Sequence, residues 1–180
     1  MEPPRRTDSR RTLNRILETA VRTLSADPTA SMERLADVAD VHRATLYRYF
    51  PTREALISTL ADRAIADGRA LVASAATLQP GCSAILELAE STVAFGDRYA
   101  FLIGTDAISA AGPDPIGLVS LMAAWQAAGI LRADMTPEWL AAAFTALAEA
   151  LYTHDATHSR SPRPMLLTQT FLYGAGPKED

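Results

Sequence analysis

Apolar positions recur along most of the chain with the spacing of a helix face, not the alternation of a strand. Leu13, Ile16, Leu17, Ala20, Val21 and Leu24 fall at i, i+3, i+4, i+7, i+8 and i+11, one stripe on a helix expected over about residues 9–26. Arg15, Glu18 and Arg22 lie off that stripe, and Glu18 precedes Arg22 by four residues, the favourable order for a helical ion pair. Asp27-Pro28 stops the pattern. Two short helices follow, over about 32–40 with Ser31 as N-cap and over about 43–49. Only Asp40-Val41-His42 stands between them, which excludes long antiparallel neighbours and predicts a tight helix-turn-helix. Pro51-Thr52 then breaks the chain, and Thr52 caps a long helix expected over about 53–78, with Leu56, Leu60, Ala64 and Leu71 on one face.

Gln79-Pro80-Gly81 is a stop and a candidate boundary. Beyond it the pattern stays helical: about 83–95, ended by Gly96; about 97 into the Ala110-Ala111-Gly112-Pro113 break; and about 116–128, with Gly129 at C′. Thr136-Pro137-Glu138 opens another helix with a threonine cap, proline at N1 and an acid in the first turn, and Met135 and Leu140 can form a hydrophobic staple. That helix is expected to reach Asp155 or His158, and a last one runs from Ser161-Pro162 to Gly174. With no β-branched run of period two to build a sheet, the expected fold class is all-α with about nine helices.

Composition supports this: 34 of 180 residues are alanine, the strongest helix former. The charge needs to be read by region. The net value of −4 argues against a polyanionic partner, but residues 1–63 carry 11 arginines and 9 acids, net +2, and residues 64–180 carry net −6. Arg5, Arg6, Arg10, Arg11 and Arg15 crowd the first fifteen positions. Cys82 is the only cysteine, which excludes an intramolecular disulfide and a cysteine-rich zinc site. Together with an N-terminus that has no apolar core, it points to the cytoplasm. An uncharged stretch as long as any in the chain, residues 115–131, contains Pro115, Gly117, Gln126 and Gly129, so no membrane partner is expected. His154 and His158 have the i, i+4 spacing of a metal pair without a third ligand, so no metal, cofactor or catalytic set is expected, and the chain does not read as an enzyme.

The segment 31–57, SMERLADVADVHRATLYRYFPTREALI, resembles the DNA-binding motif of tetracycline-repressor (TetR) family regulators. The matching residues are Leu35-Ala36, Ala39, Val41, the run from Thr45 to Phe50, and Arg53-Glu54-Ala55-Leu56. Leu35, Ala36, Ala39, Val41, Leu46 and Phe50 are expected to hold the two helices together. By that resemblance His42, Arg43 and Ala44 face base edges in the major groove, with Arg43 able to bind guanine through two hydrogen bonds. Thr45, Tyr47, Arg48, Thr52 and Arg53 suit phosphates, joined by Arg10 and Arg11 of the arm. The resemblance is strong over about residues 9–65 and beyond that extends to the helical layout. It implies a DNA-binding domain at 1–52 and a ligand-binding and dimerisation domain at 53–180, with 53–78 connecting them.

The family further implies a homodimer on a near-palindromic double-stranded operator and a small-molecule effector, most simply as a repressor. The expected interface is Leu140, Ala143, Phe144, Leu147 and Leu151 with Leu166, Thr170 and Phe171. Phe95, Tyr99, Phe101, Met122, Trp125, Phe144 and Tyr152 are the candidate pocket lining. Two departures from the family pattern, Asp40 where glycine is usual and His42 where serine or asparagine caps, keep open a second reading: a TetR-like ligand-binding or dimerisation module with weakened DNA binding. An enzyme on a helical scaffold is a third, without a nucleophile–base pair behind it.

Overall fold

The computed structural model describes residues 4–153 and 161–175. Among them are nine α-helices, one 3-10 turn and no strand. The helices are α1 (Pro4–Ala26), α2 (Met32–Val38), α3 (Arg43–Tyr49), α4 (Arg53–Ala75), α5 (Cys82–Tyr99), α6 (Asp106–Ser109), α7 (Leu118–Ala127), α8 (Pro137–Thr153) and α9 (Arg163–Ala175). Helix α1 starts five residues before Ser9, with Pro4 at a first-turn position whose missing N–H costs nothing. The His154–His158 pair and the last five residues lie outside the described residues.

The capping signals are realised locally. Ser31 Oγ accepts from Arg34 N (3.2 Å) and Thr52 Oγ1 from Ala55 N (3.2 Å), each supplying a partner to an otherwise unpaired helix amide. Thr136 Oγ1 does the same for Trp139 N (3.2 Å). Gly129 takes φ +73° past the end of α7, letting Ile130 N return to Trp125 O (3.0 Å). Asp114 caps the other end of α7, its carboxylate accepting from Leu118 N (2.8 Å) and Val119 N (3.1 Å).

Two expectations need correction. Gly96 does not end a helix: α5 continues through it to Tyr99. The glycine is there for room, because a Cβ at Gly96 would stand 2.3 Å from Tyr152 Cε2. The helix expected from Asp97 to Ala110 is also absent. A 3-10 turn (Ala100–Leu102), a left-handed Gly104 (φ +74°) and the four-residue α6 replace it.

The buried residues form two cores. The first joins Ile16, Leu17, Ala20, Val21 and Leu24 of α1 to Leu35, Ala36, Leu46 and Phe50, and continues into Leu56, Leu60, Ala61 and Ala64 of α4 and to Tyr99 and Leu102. The second gathers Val72 and Ala75 of α4 with Ile85, Leu88, Met122, Trp125, Leu140, Phe144, Leu167 and Phe171. At about 1.5–3 kcal/mol for each fully buried Leu, Ile or Phe side chain, these two sets outweigh any surface contact in the molecule. Helix α1 is also clamped to the body by polar contacts. Glu18 accepts from Arg63 of α4 and from Arg98 of α5 (3.1 Å), and Ser25 Oγ donates to Arg98 O (2.6 Å).

Candidate nucleic-acid interface and cavity

The turn between α2 and α3 is built around Asp40. It is the only non-glycine residue with positive φ (+51°) among the described residues, in a region that Asp enters more easily than most side chains. This conformation lets Val41 N reach Ala36 O (3.1 Å), and Arg15 of α1 donates to Asp40 O (3.3 Å). His42 caps α3 through its backbone only: its carbonyl accepts from Thr45 N (2.8 Å) and Leu46 N (3.1 Å), while its side chain makes no cap bond.

With Leu46 and Phe50 buried, the helical period turns His42, Arg43, Ala44, Tyr47 and Arg48 outward, and all five are exposed. Thr45 and Tyr49 are half-buried, and Tyr49 donates to Ser9 O (3.2 Å), fixing α3 against the start of α1. Arg10 and Arg11 are exposed on α1. Glu33 of α2 accepts from both Arg43 and Tyr47 (3.4 Å). Its carboxylate is held below the ordinary range, first by its own backbone amide at the helix start and then by the Arg43 charge. Arg43 and Glu33 are both well exposed, so their pair adds little to stability and yields readily to a stronger anion. Arg48 lies 5.5 Å over the Tyr49 ring.

Arg53 and Thr52, expected at phosphates, have partners within the chain. The Arg53 guanidinium donates to Pro28 O (2.7 Å) and Ala30 O, two carbonyls of the α1–α2 connection that no helix amide satisfies. Thr52 uses its hydroxyl as the α4 cap. Both residues hold the head in shape before any ligand arrives.

In the body, α4, α5 and α8 enclose a cavity of about 180 Å³ that opens to solvent. Of the expected lining, Phe95, Tyr99, Phe144 and Tyr152 meet on its wall. Met122 and Trp125 are packed into the second core, and Phe101 packs against the first; none of the three lines the cavity. Gly68, Thr92, Gly96, Thr145, Ala148 and Glu149 line it and were not singled out from the sequence. Gly68 and Gly96 are there for close approach, of Ile116 and of the Tyr152 ring, and a glycine within a helix is the one signal the sequence offered for them. Tyr99 donates to Asp67 Oδ2 (2.6 Å), and burial, followed by that bond, pushes its hydroxyl up to about 12. Tyr152 donates to Val93 O (2.5 Å) and is also pushed up to about 12, by burial and then by the Asp97 charge.

The expected dimer face divides. Leu140, Phe144 and Phe171 are inside the subunit, the last two in edge-to-face contact at 5.2 Å, and Leu147 and Leu151 pack half-buried on the same core. The reason is that α8 lies on α7, and α9 on α5, through that stripe. Ala143, Leu166 and Thr170 remain at the surface, the first two half-buried. Beside them are large apolar side chains missed from the sequence: Trp139 (62% exposed) on α8, and Met165 (37%) and Tyr173 (93%) on α9.

A helix-turn-helix that presents cationic and hydroxyl groups on one helix, carried by an all-helical body with a cavity, defines a DNA-binding transcriptional regulator. The family described as bacterial regulatory proteins, tetR family, matches residues 16–60. The chain is 30% identical over 166 residues to the HTH-type transcriptional repressor LfrR of Mycolicibacterium smegmatis, covering 87% of this chain and 85% of the relative. The chain belongs to the TetR family. It superposes on LfrR from Mycobacterium smegmatis solved in complex with proflavine with a TM-score of 0.69 at 25% identity, covering 91% of this chain and 93% of that one. On the TetR regulator SCO0520 from Streptomyces coelicolor the TM-score is 0.61 at 30% identity, over 92% and 99% of the two chains. Among the described residues, no helix is long and apolar enough to cross a membrane.

Proposed function

We propose that this regulator is a cytoplasmic, homodimeric repressor whose two α3 helices read half-sites of a near-palindromic operator and which a small molecule in the body cavity controls. The carrying observation is that one wall serves both parts. Tyr99 belongs to the buried core of the head and lines the cavity, and α4 packs under the head with Leu56 and Leu60 and walls the cavity with Gly68 and Val72. A ligand that fits the cavity better in one position of α4 than in another shifts the spacing of the two heads by that difference in affinity. That LfrR has been solved with proflavine supports a small organic effector.

In this reading Arg43 exchanges Glu33 for a guanine edge, and Tyr47, Arg48, Arg10 and Arg11 meet phosphates. The dimer forms on the outward stripe of α8 and α9. Trp139, Ala142, Ala143 and Ala146 fall at i, i+3, i+4 and i+7, and Met165, Gln169, Thr170 and Tyr173 face the same way on α9. Exposed Trp, Tyr and Met are the residues enriched in interface cores, and the alanines beside them let two helices approach closely.

The test is a gel shift on the DNA upstream of the chain's own coding sequence, at rising salt, for wild type and Arg43→Ala. A specific complex that weakens with salt, with the variant losing on the order of tenfold or more and its preference at one base pair, is the expected result. No specific complex for the wild type would leave the ligand-binding module without DNA binding as the better reading. For the dimer, Trp139→Glu is expected to convert a two-chain species to one chain in sedimentation equilibrium.

A further inference from the structure

We propose that Glu33 is a second base-reading residue, accepting from the exocyclic amino group of a cytosine at the pair whose guanine Arg43 reads or at the pair beside it. This deepens the reading of α3 as the reader of a half-site and rests on it. The placement comes first. Met32, Leu35 and Ala36 turn one side of α2 into the core, and Glu33, half-buried beside them, reaches across to α3. There it meets Arg43 and Tyr47, which stand one turn apart on the outward face. Arg43 Nη2 and Tyr47 Oη (3.4 Å) both donate to one oxygen, Glu33 Oε1. The carboxylate therefore lies in the surface that α3 presents, beside the side chain that reads guanine.

The chemistry comes next. In the reading above both donors leave for the DNA, Arg43 for a guanine edge and Tyr47 for a phosphate. Glu33 would then stand as an anion beside a polyanion, and a carboxylate stripped of its hydrogen bonds loses more than a neutral group does. It also stays an anion. The first cause holding its carboxyl below the usual range is its own backbone amide at the helix start, which remains when Arg43 has gone. An ionised carboxylate accepts and cannot donate, so what it needs is a donor. The major groove offers two, the amino groups on N4 of cytosine and N6 of adenine. Cytosine fits better on both flanks. In a G·C pair the guanine O6 beside the cytosine amino group is already taken by Arg43, and the other neighbour is a C–H. The adenine amino group stands between two acceptors, its own N7 and O4 of thymine, which repel a carboxylate. Side by side, guanidinium and carboxylate thus match the acceptor, acceptor, donor order of a G·C pair in the major groove.

Selection from a random double-stranded DNA library by the full chain at fixed salt, followed by sequencing, gives the base preferences of wild type, Arg43→Ala, Glu33→Ala and Glu33→Gln. Preferences are ratios within one protein, so a smaller folded fraction in a variant cancels. Arg43→Ala is expected to relax one guanine. Glu33→Ala is expected to relax one cytosine, at that pair or the next, by about fivefold or more, while binding unrelated DNA more tightly for want of a negative charge. Glu33→Gln, whose amide pairs with N6 and N7 of adenine, is expected to admit adenine at that position. Methylating that cytosine on N4 keeps its base pair but removes its groove-facing hydrogen. In fluorescence anisotropy titrations this is expected to cost wild type about fivefold more than it costs Glu33→Ala. If Glu33→Ala leaves every cytosine preference as in wild type, Glu33 is only a counter-charge to Arg43 and the proposal is overturned, while the reading of α3 stands. If Arg43→Ala also changes no preference, or wild type selects no motif, that reading falls too.

Discussion

Gly96→Ala is the sharpest probe of how the body is packed, because its sign should depend on a residue 56 positions away. An alanine Cβ would meet Tyr152 Cε2 at 2.3 Å and Cζ at 2.4 Å. The ring cannot simply swing aside, since its hydroxyl is bound to Val93 O (2.5 Å) and the Arg163 guanidinium covers its face at 5.3 Å. Losing that hydrogen bond costs about 0.5–1.5 kcal/mol. Forcing a methyl group into the contact costs about 1–3 kcal/mol more. Against this, replacing glycine by alanine inside a helix returns about 1 kcal/mol. The balance is a destabilisation of about 1–3 kcal/mol, or roughly 3–10 °C in Tm for a chain of this size. In a Tyr152→Ala background the contact and the hydrogen bond are already gone and only the helix preference is left, so the same substitution should stabilise by roughly 0.5–1 kcal/mol. Urea unfolding of the four proteins, followed by far-UV circular dichroism, closes the cycle. A coupling below about 0.5 kcal/mol, the scatter expected of independent sites, would refute the account of Gly96 as a space-maker.

Three further outcomes follow from particular contacts. His42→Asn gives α3 the side-chain cap it lacks and should raise stability by about 0.5–1 kcal/mol in urea unfolding; an unchanged midpoint would mean the cap is already satisfied. Arg53→Lys cannot reproduce a fork across Pro28 O and Ala30 O and should cost about 1–2 kcal/mol of stability, with little change in operator affinity once the protein is folded. A large affinity loss at unchanged stability would return Arg53 to the phosphates. Tyr99 and Tyr152 ionise near 12 in the folded chain against 10 when unfolded, so the folded state holds those protons longer. Their contribution to stability is complete below pH 10 and is lost as pH rises from 10 to 12. An ultraviolet titration should show a late phase that Tyr99→Phe and Tyr152→Phe each reduce.

The elements most legible in the sequence are those set by local chemistry. The stripe from Leu13 to Leu24, the caps Ser31, Thr52 and Thr136, the Asp40 turn and the outward face of α3 all depend on neighbours within a few positions, where spacing and side-chain type suffice. Gly96 misleads because a glycine that ends a helix and one that makes room for a distant ring look alike in one dimension. The segment after Tyr99 misleads for the converse reason. Its composition suits a helix, but the close of the cavity requires a bend, and tertiary demand outweighs a propensity worth tenths of a kcal/mol per residue. The expectation of a phosphate contact at Arg53 rests on a basic residue opening α4, and what that pattern could not show is its bonds to Pro28 O and Ala30 O, more than twenty residues earlier. Which apolar stripe of α8 faces inward depends on α7, so Leu140 and Phe144 could not be told from Trp139 by hydrophobicity alone.

The continuity of the first core from α1 through α4 to Tyr99 and Leu102 has a genetic consequence. The core of the head runs on into the start of α4 and the end of α5, so the two parts are expected to unfold together. Substitutions that weaken the second core, far from any base or phosphate, would lower the number of folded molecules available to an operator, and a loss of 1–2 kcal/mol is enough to change abundance several-fold. Alleles that derepress should therefore be scattered over the whole length of the chain. Those that act on the signal itself would be the few that derepress while leaving the amount of folded protein unchanged.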